Sequence, residues 1–229
     1  MRQNGTALNI LLEAEGDILG DEHVGTSVET PLRDDAFDMT DAEKILRIEE
    51  KFRDIMDIMG LDLTDDSLSG TPRRVAKMYV QEVFKGLNPS NKPKISLFEN
   101  LYGYNEMLLE KNIKVKSFCE HHFLPVVGKA HVAYISSGKV IGLSKINRIV
   151  DYFSRRPQVQ ERLTMQIAKE LKTILETEDV AVVIDAGHMC VSMRGIEDES
   201  SSTVTSSFNG VFKNPEVQRK FYAQLGGVQ

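Results

Sequence analysis

The sequence has little cysteine, no long apolar run and no excess of basic residues. Two cysteines in 229 residues are too few for a disulfide framework, so each thiol is expected to be a ligand, a catalyst or a plain core residue. No apolar run approaches the roughly 20 residues that a membrane span needs. The N-terminal stretch ALNILLEA is short for a secretory signal, lies among acids and is followed by no small-residue cleavage pattern. A cytoplasmic, reducing location is therefore the expectation. The formal net charge is −6, and residues 1–41 account for it with ten acids against two bases, Arg2 and Arg33. The rest is nearly neutral, without the basic face of a nucleic-acid protein. Neither nucleic acid nor membrane is an expected partner, while a local basic pocket for a small anion stays open.

What is there suits a folded enzyme-sized chain: 41% apolar and 27% charged residues, with no internal repeat and no low-complexity segment. Residues 1–39 lack a sustained apolar period and read as a flexible acidic arm, with a short helix at 7–14. A helical region is expected over 40–100. It opens with TDAE, a capping box of Thr40 and Glu43, followed by Ile45, Ile48, Phe52, Ile55 and Met59 at alternating spacings of three and four, up to Gly60. A second helix is expected from TPRR to Gly86, with Thr71 as cap and Pro72 at its first position. The catalytic domain is expected over 101–229. There IKVKSF alternates, GKAHVAYIS and KVIGL read as strands, and a long helix starts at Pro157 with Val159, Leu163, Ile167, Leu171 and Leu175 in one stripe. DVAVVIDA, HMCVSMRGI and STVTSSF read as further strands. Helices first, then strands around a long helix, make an α+β pattern.

The chemistry concentrates in two short stretches, FCEHHF (118–123) and HMCVSMR (188–194), which hold both cysteines and three of the five histidines. As a strand, 188–194 would put His188, Cys190, Ser192 and Arg194 on one face and Met189, Val191 and Met193 on the other. Cys119 and His122 have the C-x-x-H spacing by which a tight turn delivers two ligands. With Cys190 they form a Cys₂His set with a fourth position open, the arrangement of a catalytic zinc. The bland alternative is a buried thiol beside histidines that only hydrogen-bond. His131 and His23 read as structural or solvated.

Arg73, Arg74 and Lys77 fall in the first turns of the second helix, where free N–H groups and the helix dipole favour phosphate. Ser144, Lys145 and Arg148 are expected at the end of the KVIGL strand, and Arg194 adds a cation beside the thiols. Gln160 and Glu161 sit in the first turns of the long helix, off its apolar stripe. A carboxylate there could accept the paired donors of a guanine edge, N1–H and the exocyclic amine. A solvated surface explains each cluster equally well in isolation.

Taken together, CEHHFLP, GLSKINRIVDYFSRRPQVQERLT, HMCVSMRGI and the closing NGVF resemble the GTP cyclohydrolase I family, from TPRRVAKMY to the C-terminus. The resemblance implies a tunnelling fold, assembled as a homodecamer with active sites at subunit interfaces. It implies a reaction in which the imidazole ring of GTP is opened, C8 leaves as formate and the remainder recloses to 7,8-dihydroneopterin triphosphate, the entry to folate or tetrahydrobiopterin. On this resemblance Cys119, His122 and Cys190 look like zinc ligands, His188 like the acid at N7 and His121 like its acid–base neighbour. Glu161, with Gln160, looks like the guanine reader. Arg74, Lys77, Lys145, Arg148 and Arg194 look like triphosphate contacts, with Ser144 near the ribose, and Phe118 and Phe123 like walls. Two rivals remain: another enzyme of the same fold, such as a nitrile reductase with a cysteine nucleophile and a nicotinamide cofactor, and a zinc- or nucleotide-binding module without turnover.

Overall fold

The computed structural model describes residues 27–226; the short helix expected at 7–14 lies outside them. Helix α1 (Asp41–Ile58) begins at the expected cap. The Thr40 hydroxyl accepts the Glu43 N–H at 3.3 Å, and the Glu43 carboxylate accepts the Thr40 N–H at 2.7 Å. The chain leaves through Gly60 at φ 79°, a conformation that glycine adopts without steric cost. Helix α2 (Thr71–Met78) has Gly70 as its N-cap, so Thr71 is the first helical residue and not the cap. The Thr71 hydroxyl instead accepts from the Arg74 guanidinium at 2.9 Å. Beyond Met78 the helix widens into a π turn (Tyr79–Val83) and then a 3₁₀ turn (Lys85–Leu87), so it reaches Gly86 only as irregular turns.

The remaining elements in chain order are β1 (Leu97–Glu99), β2 (Leu108–Cys119), β3 (Pro125–Tyr134), β4 (Lys139–Ile141), α3 (Leu143–Ser154), β5 (Pro157–Gln158), α4 (Gln160–Leu175), β6 (Val180–His188), α5 (Met189–Ser192), β7 (Thr203–Phe208) and α6 (Pro215–Leu225). The main sheet has the order β5-β2-β3-β6-β7. All its pairings are antiparallel except that of β5 with the end of β2. Helices kept apart from a largely antiparallel sheet make the chain α+β.

Three expectations about this half need correction. Ser144, Lys145 and Arg148 are not at a strand end but on α3, because the strand stops at Ile141 and Gly142, extended at ψ 131°, caps a helix. That helix buries Ile146, Ile149, Val150 and Phe153, a helical spacing. The long helix starts at Gln160 rather than at Pro157, whose backbone is spent on β5. After His188 the chain turns into the short α5, so 188–194 is not a strand.

The alternation in β2 is as expected, Ile113 and Val115 buried and Lys114 and Lys116 exposed. Ile113 and Val115 join α3 and α4 in the main core, where Leu163, Ile167, Leu171 and Leu175 are each 1% exposed or less. The opposite sheet face is covered in part by α6 and the 3₁₀ turn before it (Gly210–Lys213), with Phe221 and Phe212 packed on Ala133, Ala181 and Val183. Gly86 meets α3 so closely that a Cβ would lie 2.1 Å from the Tyr152 carbonyl oxygen. The expected arm does not run free to residue 39. The Ser27 and Val28 carbonyls accept from Arg162 and Gln166, and the Thr30 hydroxyl accepts from Arg156, because α4 and the loop before β5 present polar side chains that need acceptors.

Candidate metal centre and active site

Strand ends build the site. β2 and β3 form a hairpin, and β6 runs antiparallel to β3 with His188 opposite Val126. The end of β2, the 119–125 turn and the end of β6 therefore meet at one edge of the sheet. Within the turn the Cys119 N–H donates to the Leu124 carbonyl and the Phe123 N–H to the Cys119 carbonyl, both at 2.9 Å. Phe123 takes φ 54°, which costs a bulky residue about 1–2 kcal/mol. Its ring lies in a cluster with Tyr79, Phe84 and Phe118, centroid to centroid 5.2 Å from Phe84. That packing holds the turn in its strained form.

Cys119, His122 and Cys190 come together: one ligand atom from each lies within 4.8 Å of the other two. Cys119 Sγ is 3.9 Å from His122 Nδ1 and 3.7 Å from His121 Nδ1. Cys190 reaches the group from the α5 turn, so its approach comes from helical and not from strand geometry. Both cysteines are free thiols. Burial pushes the Cys190 thiol up, and the neighbouring Cys119 adds to that. Two thiols facing each other resist ionisation unless a cation compensates. Soft thiolates with an imidazole are the donors that zinc selects, and the three residues fit such an ion. Arg194 lies against His122 Nε2.

His188 closes β6 beside this group. Gln160 gives its amide N–H groups to the Ile184 and Thr203 carbonyls at 3.1 and 2.8 Å and to the Thr205 hydroxyl. Those carbonyls fix the amide's orientation, so its oxygen faces His188 Nε2 at 2.8 Å. His188 Nε2 must then carry the hydrogen, leaving Nδ1 as the open nitrogen. Burial lowers the His188 pKa below the ordinary histidine value, with the charge of Glu161 opposing. Gln160 itself is 4% exposed with both polar atoms of its side chain engaged, so it stands behind His188. Glu161, exposed in the first turn of α4, keeps a free carboxylate direction.

The other expected contacts are scattered. Arg74 is tied to Thr71 and the Ser67 carbonyl, and Arg73 pairs with Glu49 at 2.7 Å. Among the described residues no ion pair or side-chain hydrogen bond engages Lys77, Lys145 or Arg148. None of these five joins the metal group by a contact among the described residues. Sequence reasoning missed the Gln160 lock on His188 and the ion pair of Glu120 with Arg162. The available signal for the second was an acid inside CEHH and an arginine two residues into the helix.

Such a site defines a class: an α+β protein with a Cys₂His group able to hold a metal and a neutral imidazole poised beside it. A family model described as GTP cyclohydrolase I matches residues 48–226. GTP cyclohydrolase 1 of Flavobacterium johnsoniae is 62% identical over 205 residues, 90% of this chain and 92% of that one. The protein of the same name from Aeromonas salmonicida is 49% identical over 230 residues, covering 100% and 98%. That from Vibrio cholerae is 52% identical over 195 residues, covering 85% and 89%. The chain belongs to the GTP cyclohydrolase I family.

Proposed function

We propose that the chain opens the imidazole ring of GTP by hydrolysis, releases C8 as formate and rearranges the remainder to 7,8-dihydroneopterin triphosphate, with zinc held by Cys119, His122 and Cys190. One observation carries the reading: two thiols and an imidazole converge within 4.8 Å, beside His188, in a chain of this family. Bound there, zinc would supply a Lewis acid that lowers the pKa of water. The chain's own residues do the rest. His188, with Nε2–H committed to Gln160, has Nδ1 open to take up a proton first, and the imidazolium so formed then gives that proton to N7. Its lowered pKa keeps the resting ring neutral, and the nearby Glu161 charge supports the imidazolium once formed.

His121, 51% exposed at its side chain, serves acid–base steps on the opened intermediate and the ribose. The Glu161 carboxylate takes the guanine N1–H and exocyclic amine, and Gln160 contributes only through His188. The triphosphate falls to Arg74, Lys77, Lys145, Arg148 and Arg194, with Ser144 at the ribose. The absence of ion pairs at Lys77, Lys145 and Arg148 among the described residues leaves their charge available.

We further assign a tunnelling-fold homodecamer with sites between subunits. Two features support it. Most of β2 on one side of the sheet and β7 on the other are edges without a partner strand among the described residues, and α1 exposes Leu46, Ile55 and Ile58. The free thiols suit the cytoplasm, and no helix of the described residues is long and apolar enough to cross a membrane.

The test is incubation of zinc-loaded protein with GTP, following near-UV pterin absorbance and formate, beside a chelated sample and the His188→Ala variant. Pterin and formate are expected only with metal. The variant should keep zinc and lose turnover by about 10²–10⁴-fold. Activity in the chelated sample would overturn the metal assignment, and GTP left intact by zinc-loaded protein would overturn the reaction.

A further inference from the structure

We propose that Arg162 is a positioning residue linking the segment Ser27–Thr30 to the metal-binding turn, so that docking of this segment holds Cys119 and His122 in place for the ion. The inference rests on the metal reading above and concerns what keeps the ligands still.

Arg162 is 4% exposed in the first turn of α4. Among the described residues its guanidinium engages two regions far apart in sequence. NH1 and NH2 pair with the two carboxylate oxygens of Glu120, while Nε donates to the Ser27 carbonyl at 2.8 Å. Glu120 stands directly between Cys119 and His121. Its backbone N–H donates to the Gln158 carbonyl at 3.0 Å, and its carboxylate lies 3.9 Å from His121 Nε2. A planar guanidinium bound to both oxygens fixes the carboxylate in rotation as well as distance. That in turn fixes the backbone carrying the ligands.

The opposite end of the link is equally engaged. Gln166 donates to the Val28 carbonyl at 2.8 Å and the Thr30 hydroxyl at 3.2 Å, while its own oxygen accepts from Gln158 at 2.9 Å. Arg156 donates to Thr30 at 3.1 Å and to the Gly86 carbonyl at 2.9 Å, with its guanidinium 4.6 Å above the rings of both Tyr152 and Phe153. The segment therefore supplies acceptors to three side chains whose other bonds support β5, α3 and the turn. If the segment lifts, the Arg162 Nε loses the Ser27 carbonyl and the buried Gln166 amide loses Val28 and Thr30. Buried donors find new partners at the expense of existing geometry, and Glu120 is the nearest geometry to give way. Outer partners of this sort commonly change metal affinity by about 10–100-fold when altered.

The experiment uses the full-length zinc-loaded protein and measures zinc release into a chromogenic chelator. Three variants are compared: Thr30→Val, which removes the hydroxyl anchor of the segment, Arg162→Lys, which cannot span Glu120 and Ser27 together, and the two combined. Each single variant is expected to release zinc roughly tenfold faster. The combination should release it no faster than Arg162→Lys alone, since one link is broken twice. Excess zinc should restore kcat in all three with the KM for GTP unchanged, a pattern that general loosening of the fold would not give. Wild-type release from Thr30→Val, or a combined effect equal to the product of the singles, would overturn the link while leaving the zinc reading intact. Should Arg162→Lys fail to fold, Glu120→Gln replaces it with the same expectations. A wild-type chain that takes up no zinc would sink the metal reading and this link with it.

Discussion

Helices α1 and α4 carry equally regular apolar stripes, yet the fold treats them differently. In α4 the stripe disappears into the core, with Ile167, Leu171 and Leu175 at 0% exposure. In α1 only Ile45 and Met56 are buried, while Ile55 is 49% and Ile58 83% exposed. Their beginnings differ in the opposite sense: α1 has a complete capping box, and α4 starts from Val159 with no side-chain cap. Burial stabilises one helix and local hydrogen bonding the other. Periodicity reveals which face is apolar but not what covers it, and the bare face of α1 is the kind of surface that a second subunit covers.

The contrast can be broken or sharpened by substitution. The largest effect is expected from Leu171→Ala, a loss of about 2–5 kcal/mol for a core cavity, read as a lower urea midpoint at unchanged slope. A cost below about 1 kcal/mol would mean that α4 tolerates voids and that burial is not what holds it. Thr40→Ala removes the hydroxyl of the capping box and should cost about 1 kcal/mol. Its sign is faster proteolysis within α1 and no change in the body of the fold. Ile55→Ser should change chain stability by no more than about 0.5 kcal/mol while weakening self-association in sedimentation. Equal costs for Ile55→Ser and Leu171→Ala would erase the difference between the two helices.

The smallest effect concerns the sheet face beneath α6. Burial lowers the His131 pKa, with Asp185 opposing and Lys129 and Lys111 adding to the lowering. The ring also accepts the Asn112 N–H at 3.3 Å. The unfolded chain therefore binds the proton more readily, so stability present at neutral pH declines as pH falls below about 6.5 toward the lower folded value. His131→Gln should show a shallower decline between pH 7.5 and 5.5 in urea midpoints, and an identical decline in both proteins would remove His131 as a cause.

Much of the fold was legible because its signals are local. The Thr40 capping box, the alternation of Ile113 and Val115 with two lysines, and the α4 stripe each follow from a few adjacent side chains. What escaped depends on tertiary contacts. KVIGL and the residues after it could continue as strand, and Gly142 turns them into α3 only because Ile146, Ile149 and Phe153 find the back of β2. Residues 188–194 alternate well enough for a strand, but β6 runs out of partner at Val126 and the chain turns into α5. The metal group was legible from residue type and spacing even though the supposed strand face was wrong. The burial of Gln160 escaped because an amide in a first helical turn has no sequence mark of it; three acceptors from β6 and β7 claim it.

The position of the metal group at the β2–β3–β6 edge has a consequence for assembly of the chain. Cys119 and His122 arrive together on one hairpin, but Cys190 arrives only when β6 has annealed to β3 with His188 opposite Val126. A slip of one residue would reverse the faces of the whole strand and carry Cys190 away from its partners. An ion that needs all three ligands would then favour only the correctly registered sheet, by an amount that grows with its concentration. The metal would act as a proofreader of strand alignment before it met any substrate.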